Sequence, residues 1–457
     1  MATLAAASTP AFAASALDGA TLSLAWGIPF AGVLLSLAVW PIFAAEFWHH
    51  HYGKITAVWT AAFLLPFAAA FGAAEAGHQL VHVLLLEYLP FVILLTSLYT
   101  IAGGIVLRGT LVGTPSTNCA LLAIGALLAS VMGTTGATMV LIRPLLVANE
   151  ERRHRVHVVI FFIILVGNVG GALTPLGDPP LFIGFLKGVR FFWTAEELAL
   201  PTLALAAALL GLFAVVDTFL RRGDPVQVPA VRAPLRLDGS FNVLLIIGVV
   251  AAVLLSGLWK PGIVVNIAGT PLELQNALRD IALVALALAS LKWTPRSLRE
   301  ANAFHWEPIV EVAKLFAGIF ITIIPVIVSL QAGQRGALAA VVQMVVEPNG
   351  EPRYLMYFWV TGLLSAFLDN APTYLVFFNM AGGDAETLMG LHARTLAMIS
   401  AGAVYFGALT YVGNAPNFMV KAIAESRGVP MPTFFVYFAI ASVILLPMFV
   451  LLSLAYR

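Results

Sequence analysis

Two acidic residues, Asp178 and Asp369, stand inside otherwise apolar stretches of this chain. A carboxylate at membrane depth costs roughly 2.5–3.5 kcal/mol on insertion scales, so it needs a partner or a function. Asp178 belongs to Gly171-Ala172-Leu173-Thr174-Pro175-Leu176-Gly177-Asp178-Pro179-Pro180. A related stretch, Gly407-Ala408-Leu409-Thr410-Tyr411-Val412-Gly413-Asn414-Ala415-Pro416, has Asn414 in that place. Asp369 opens a polar tip, Asp369-Asn370-Ala371-Pro372, and the corresponding tip is Gly133-Thr134-Thr135-Gly136. Matching Thr138 to Thr373 sets Asp369 opposite Thr134, so the two acids occupy swapped places. Gly and Pro interrupt a helix and free backbone groups, which a membrane tolerates only inside protein or along a watery cavity. Half-helix ends of this kind coordinate a cation through carbonyls or hold an anion on N–H groups.

One carboxylate per half suits a small cation, Na+, bound by carboxylate, hydroxyl and carbonyl oxygens. It also suits proton competition, because burial disfavours a charged carboxylate. The first candidate set is Thr134, Thr135, Thr138, Asn168, Thr174, Gly177 and Asp178. The second is Asp369, Asn370, Thr373, Thr410, Gly413, Asn414 and Asn417. The plainer alternatives are that the breaks are packing kinks and that either Asp caps a helix fragment.

Arg143, five residues past Thr138, is placed either to neutralise Asp178 or to attract an anion. Glu311 and Lys314, at i,i+3 in a long apolar segment, read as a neutralised buried pair, with proton coupling as the alternative. Breaking such a pair costs about 3–5 kcal/mol. Glu75, His78 and His82 share a helical face compatible with a metal, but their short amphipathic segment reads as an interfacial helix. His49, His50 and His51, beside Glu46, read as solvated loop residues. Trp48, Trp193 and Trp293 near span ends read as interface anchors. The single cysteine, Cys119, excludes an intrachain disulfide framework and a Cys-based zinc site.

The elements that must position these residues are membrane helices. Of 457 residues, 60% are hydrophobic and only 10% charged, against about 25% charged in soluble domains. Mean hydropathy is +0.95. The net charge of +1 offers no footprint for nucleic acid. Apolar runs approaching the roughly 20 residues needed to cross a bilayer fall at Leu24–Ala45, Lys54–Ala73, Tyr88–Leu107, Leu198–Leu220, Phe241–Leu258, Ile281–Trp293, Trp306–Leu330 and Phe434–Tyr456. Val156–Leu186 and Thr395–Ile423 are spans interrupted by the Gly/Pro motifs. Asn118–Val147 and Tyr354–Met380 are each two short limbs around a polar tip, the pattern of a re-entrant hairpin. Residues 1–23 read as an extramembrane lead without a positive signal-peptide region. The proline-bearing stretch 221–240, with Pro225, Pro229 and Pro234, reads as a linker.

That linker separates two similar halves, 24–220 and 241–457, whose broken motifs lie 236 residues apart. The expected fold is all-α and polytopic, with about ten transmembrane helices, two re-entrant hairpins and two broken helices. A hairpin returns to its own side, so each half crosses five times and the halves are inverted, the plan of many secondary transporters. With the N-terminus on one side, 14 Lys and Arg, including Arg232, fall on the opposite side and eight, including Arg457, on its own. Positive-inside bias makes the richer side cytoplasmic and leaves both termini outside.

The hairpin motif Leu368-Asp369-Asn370-Ala371-Pro372 and the broken motif Thr174-Pro175-Leu176-Gly177-Asp178 resemble those of NhaD-type sodium/proton antiporters. These belong to the ion transporter superfamily, with arsenite pumps and dicarboxylate and citrate carriers. Gly167-Asn168-Val169-Gly170-Gly171 through Trp193 also resembles bacterial proteins described as citrate transporters or sodium/proton antiporters. The resemblance spans both halves. It implies a homodimer in the bacterial inner membrane, with a scaffold domain and a moving transport domain, and no cofactor beyond transported Na+ and H+. The tips depart from the Ser-Asn-Thr motif of the carboxylate carriers and gain an acid, which counts against a di- or tricarboxylate substrate. The expected function is sodium/proton antiport by alternating access. The rival is a sodium- or proton-coupled organic-anion symporter, with Arg143 and backbone amides receiving the anion. A membrane-embedded hydrolase needs a nucleophile–base pair or metal ligands at depth, and the broken motifs contain no His. A channel fits matched inverted gates less well than alternating access does.

Overall fold

The first half of the chain folds as α1 (Ile28–Phe43), α2 (Ala45–Phe71), α3 (Ala73–Val83), α4 (Leu89–Ala102), α5 (Pro115–Met132), α6 (Thr134–Ala148), α7 (Val156–Leu165), α8 (Pro179–Leu186) and α9 (Trp193–Leu220). The second half adds α10 (Ser240–Leu258), α11 (Leu274–Trp293), α12 (Arg296–Ala301), α13 (Glu307–Thr322), α14 (Ile324–Gln331), α15 (Ala339–Val345), α16 (Tyr354–Leu368), α17 (Asn370–Met380), α18 (Ala385–Met389), α19 (Ala393–Phe406), α20 (Ala415–Ser426) and α21 (Phe434–Ala455). This computed structural model describes residues 17–222, 233–347 and 350–455. Most of the expected lead, the linker residues Pro225, Pro229 and Arg232, and Arg457 lie outside the described residues.

Nine helices among the described residues are long and apolar enough to cross a membrane. The bent pair α13–α14, with a 42° bend, is a tenth candidate. The chain is an all-α multi-pass membrane protein. Short antiparallel strands occur only in connections: β1 (Val106–Arg108) pairs with β2 (Arg236–Asp238), and β3 (Val264–Ile267) with β4 (Thr270–Glu273). A π-turn over Leu84–Tyr88 joins α3 to α4, making one continuous 30-residue segment of what reads as an interfacial helix plus a span.

Two expectations about the first loops are corrected. α2 starts at Ala45, not Lys54, so His49, His50 and His51 are helical. His50 Nδ1 donates to the Glu46 carbonyl (2.8 Å) and His51 Nδ1 to that of Phe47 (2.9 Å), extending the helix through Gly53. Of the tryptophans expected at the interface, Trp48 and Trp193 are instead buried inside the protein; Trp293 is exposed.

The hairpins follow from local chemistry. Thr114 caps α5, its Oγ1 accepting the Thr117 N–H (3.1 Å), with Pro115 at the first helical position. The turn into α6 is made by Gly133 at φ +80°. At the open end of this hairpin, Asn118 and Asn149 bond each other (2.8 and 2.9 Å), and Asn118 Nδ2 donates to Asp217 of α9. Just beyond it, Arg155 Nη2 donates to the Gly428 carbonyl (2.9 Å). At the open end of the second hairpin, Gln331 Nε2 donates to Asn379 (3.0 Å), and the Arg190 N–H reaches Met389 Sδ (3.2 Å). Arg155 and Arg190 flank the broken segment α7–α8, so the hairpins open at opposite ends of it.

Candidate functional site

Each broken segment stops a helix, turns through a short 3-10 stretch and restarts behind proline. The segments are Val169–Leu173 before α8 and Gly407–Leu409 before α20. Proline restricts the preceding residue to extended backbone, and Asp178, just before Pro179, lies at φ −144°, ψ 145°. Both breaks are fastened to a hairpin in the same manner. Thr174 Oγ1 donates to the Ser130 carbonyl and Thr410 Oγ1 to the Ala366 carbonyl. Thr174 Oγ1 then accepts the Leu176 N–H (3.2 Å), and Thr410 Oγ1 the Val412 N–H (3.1 Å). The two threonines therefore hold the loops to the hairpins rather than facing Asp178. Gly177 is required by close approach: a Cβ there would lie 2.1 Å from the Gly171 carbonyl oxygen. Its own carbonyl accepts the Thr134 N–H (2.9 Å), tying tip to break.

Asp178 is fully buried and sits at the junction of both halves. Its Oδ1 accepts from Thr134 Oγ1 (3.0 Å) and Asn414 Nδ2 (2.9 Å), and its Oδ2 from Asn370 Nδ2. Asn414 Nδ2 also approaches the Gly167 carbonyl (3.1 Å). Asn168 Nδ2 donates to Asn417 Oδ1 (2.8 Å), and Asn417 Nδ2 reaches the carbonyls of Gly407 (2.7 Å) and Thr410 (2.8 Å). The two candidate sets form one network, because the two breaks and two tips meet at a single point. The acid in the first break does not cap its own fragment.

Asp369 does cap. Its Oδ1 accepts the Ala371 N–H (3.1 Å), and its carbonyl accepts Thr373 Oγ1 (2.8 Å). It stands at φ +77°, ψ 141°, the counterpart of Gly133 at φ +80°, ψ 152°. The register of the tips is therefore 236 residues, as for the breaks, and the pairing of Thr138 with Thr373 is one residue out. Thr134 corresponds to Asn370, and both donate to Asp178.

Asp178 and Asp369 line one cavity of about 80 Å³ with Thr134, Thr135, Gly177, Asn370 and Asn414. Its remaining walls are mostly apolar, from Phe91 to Tyr99 on α4 and from Pro308 to Phe316 on α13. A cavity of this size holds several waters by the one-probe criterion. Asn370 Oδ1 is buried without a hydrogen-bond partner, as is Thr138 Oγ1 one turn beyond the tip. Among the described residues, no Lys, Arg or His lines the cavity.

Other candidates fall elsewhere. Arg143 makes no ion pair with Asp178, since α6 carries it away from the tip toward the end bearing Arg427. Glu311 and Lys314 are not a buried pair. Glu311 takes a hydrogen bond from Trp48, while exposed Lys314 lies over the Tyr52 ring at 5.4 Å. Their i,i+3 spacing brings them to neighbouring positions, but α2 supplies a better partner to each. On α3, Gln79 Nε2 donates to Glu75 (2.9 Å), and His78 packs against Gly269.

Sequence reasoning missed a second buried polar cluster. Asp217, wholly buried in α9, accepts from Arg152 Nη2 (2.5 Å) and from His157 Nε2 (2.7 Å). With Asn118 and Asn149 it ties the first hairpin and α7 to α9. An acid three residues from a span end reads as solvated, and its partners are 60 or more residues away, so no local signal marks it.

The fold is that of a multi-pass membrane protein, and its site joins two broken segments and two hairpin tips at one buried acid. Residues 19–456 match the family described as "Putative citrate transport". The chain belongs to that family. No curated protein matches the sequence.

Proposed function

We propose that the chain is a secondary active transporter exchanging Na+ for H+, of the NhaD-type antiporter kind, without enzymatic activity or a resident cofactor. One observation carries this reading: Asp178, Asp369 and the unpartnered Asn370 Oδ1 line a single small cavity that has no cationic side chain. Two carboxylates and a spare amide oxygen suit a cation and repel a di- or tricarboxylate. A proton and Na+ compete for the same carboxylate oxygens, so Na+ affinity falls as pH falls, and release of one admits the other. Residues 24–220 and 241–457 act as two inverted repeats, joined by the linker 221–240. The protein works as a homodimer in the bacterial inner membrane, with both termini outside.

The family's description supports a second reading, cotransport of an organic anion such as citrate with Na+ or H+. Everted vesicles containing a pH probe separate the two. Antiport requires a Na+-driven pH change with no organic acid present, lost in a folded Asp178→Asn variant. A silent probe together with Na+-dependent uptake of labelled citrate would replace antiport with the second reading.

A further inference from the structure

Three guanidinium groups gather away from the carboxylate cavity: Arg143 in the latter half of α6, Arg427 just past the end of α20 and Arg155 just before α7. Both α6 and α20 start at the central junction: Thr135 on α6 and Met419 on α20 line the cavity. Arg143 and Arg427 each follow eight residues later, about 12 Å farther along their helices at 1.5 Å per residue. α6 and α20 pack together, and the two arginines lie within electrostatic reach of one another. Arg155 joins them by donating to the carbonyl of Gly428, next to Arg427 (2.9 Å).

None of the three has a carboxylate partner among the described residues. Of the nearby acids, Glu425 pairs with Lys421 (2.8 Å) and Asp217 with Arg152 (2.5 Å), while Glu150 offers Arg155 only its backbone carbonyl (3.4 Å). Arg143 is half-buried, and its Nη1 is fully enclosed without a hydrogen-bond partner. An enclosed, unsatisfied guanidinium N–H is costly, and like charges held together raise that cost further. An anion offering two or more oxygens removes both penalties, and the planar guanidinium fork matches carboxylate or phosphate oxygens.

We propose that Arg143 and Arg427, with Arg155 at their edge, form an oxyanion-binding site between the latter half of α6 and the end of α20, distinct from the Asp178–Asp369 cavity. Its ligand is a phosphate-like or carboxylate group, free in solution or on a lipid. Occupation neutralises the positive charge gathered there.

The test is a thermal-melting titration of the purified full-length protein in phosphatidylcholine nanodiscs. Potassium phosphate is compared with potassium chloride at equal ionic strength. Phosphate should raise the melting temperature saturably, with roughly tenfold or more weaker apparent affinity in Arg143→Gln/Arg427→Gln. Arg143→Lys, which keeps the charge, should recover part of the response and guards against misfolding of the Gln variant. Asp369→Asn should respond like the native protein, separating this site from the carboxylate cavity. In phosphatidylglycerol nanodiscs, loss of the response to phosphate with an already raised melting temperature identifies a lipid phosphate as the occupant. An unchanged response there identifies a free anion. A phosphate response equal in the native and double-Gln proteins, or no response in either lipid, overturns the site.

Discussion

The two halves fasten their broken helices alike, yet they place their acids differently. Thr174 holds the first break to Ser130 and Thr410 holds the second to Ala366, at the same sequence separation and with the same amide accepted two residues on. Asp178 and Asn414 share extended backbone at the restart of a helix. Gly133 and Asp369 share a positive φ at the tip. An L-residue in such sparsely populated backbone costs on the order of 1–3 kcal/mol. The first half avoids that cost with glycine; the second retains it and gains a carboxylate. The two halves share backbone geometry and divide the chemistry, one acid to a break and one to a tip. A strained position that holds an acid, where glycine serves in the other half, marks a side chain with a function.

The largest expected effect breaks this comparison at the tip. Asp369→Asn should abolish Na+-driven proton movement in reconstituted vesicles while the protein still melts cooperatively. Asp369→Gly restores the first half's solution and should also be inactive, yet more stable by about 1 kcal/mol once the small capping loss is subtracted. Full exchange by either folded variant would remove Asp369 from the mechanism.

The next effect compares the two close approaches of backbone. A Cβ on Gly177 would stand 2.1 Å from the Gly171 oxygen, and one on Gly413 would stand 2.7 Å from the Gly407 oxygen. Gly177→Ala should therefore destabilise by about 3 kcal/mol or more and Gly413→Ala by about 1–3 kcal/mol. The reverse order in melting curves would show that the breaks are not packed as described.

The threonine latches sharpen the comparison further. Thr174→Val strands a carbonyl and an amide, costing about 1–3 kcal/mol, whereas Thr410→Val strands a carbonyl and two amides, those of Val412 and Gly413. The larger loss is expected at Thr410, which accepts the extra amide and is the more buried of the two. Equal losses, or a larger loss in Thr174→Val, would show that the breaks are not fastened as described.

The smallest effect lies outside the site. Lys314 faces the Tyr52 ring and has no acid partner, so Lys314→Ala should cost about 1 kcal/mol or less. A loss of about 3–5 kcal/mol would restore a buried pair with Glu311.

Features that depend on local chain chemistry are readable without coordinates. Apolar runs near 20 residues define the membrane class. Gly and Pro place the two breaks and one tip, because they act on their own backbone wherever they stand. Asp178 and Asp369 stand out because an acid in an apolar run is expensive in any fold. The wider site depended on helix packing. Asn370 and Asn414 reach Asp178 across 192 and 236 residues, and no periodicity states which helix faces meet over such distances. The same limit hid the Asp217 cluster, and it made i,i+3 spacing misleading for Glu311 and Lys314. It also let the tips be aligned one residue out, since Thr138 and Thr373 match by type whereas Gly133 and Asp369 match only by backbone angle. Residue type and order thus determined where the helices break and which acids are costly. Only the tertiary structure decided that one acid is shared by both halves, because hydrogen-bond partners are selected by the distance and direction that packing imposes.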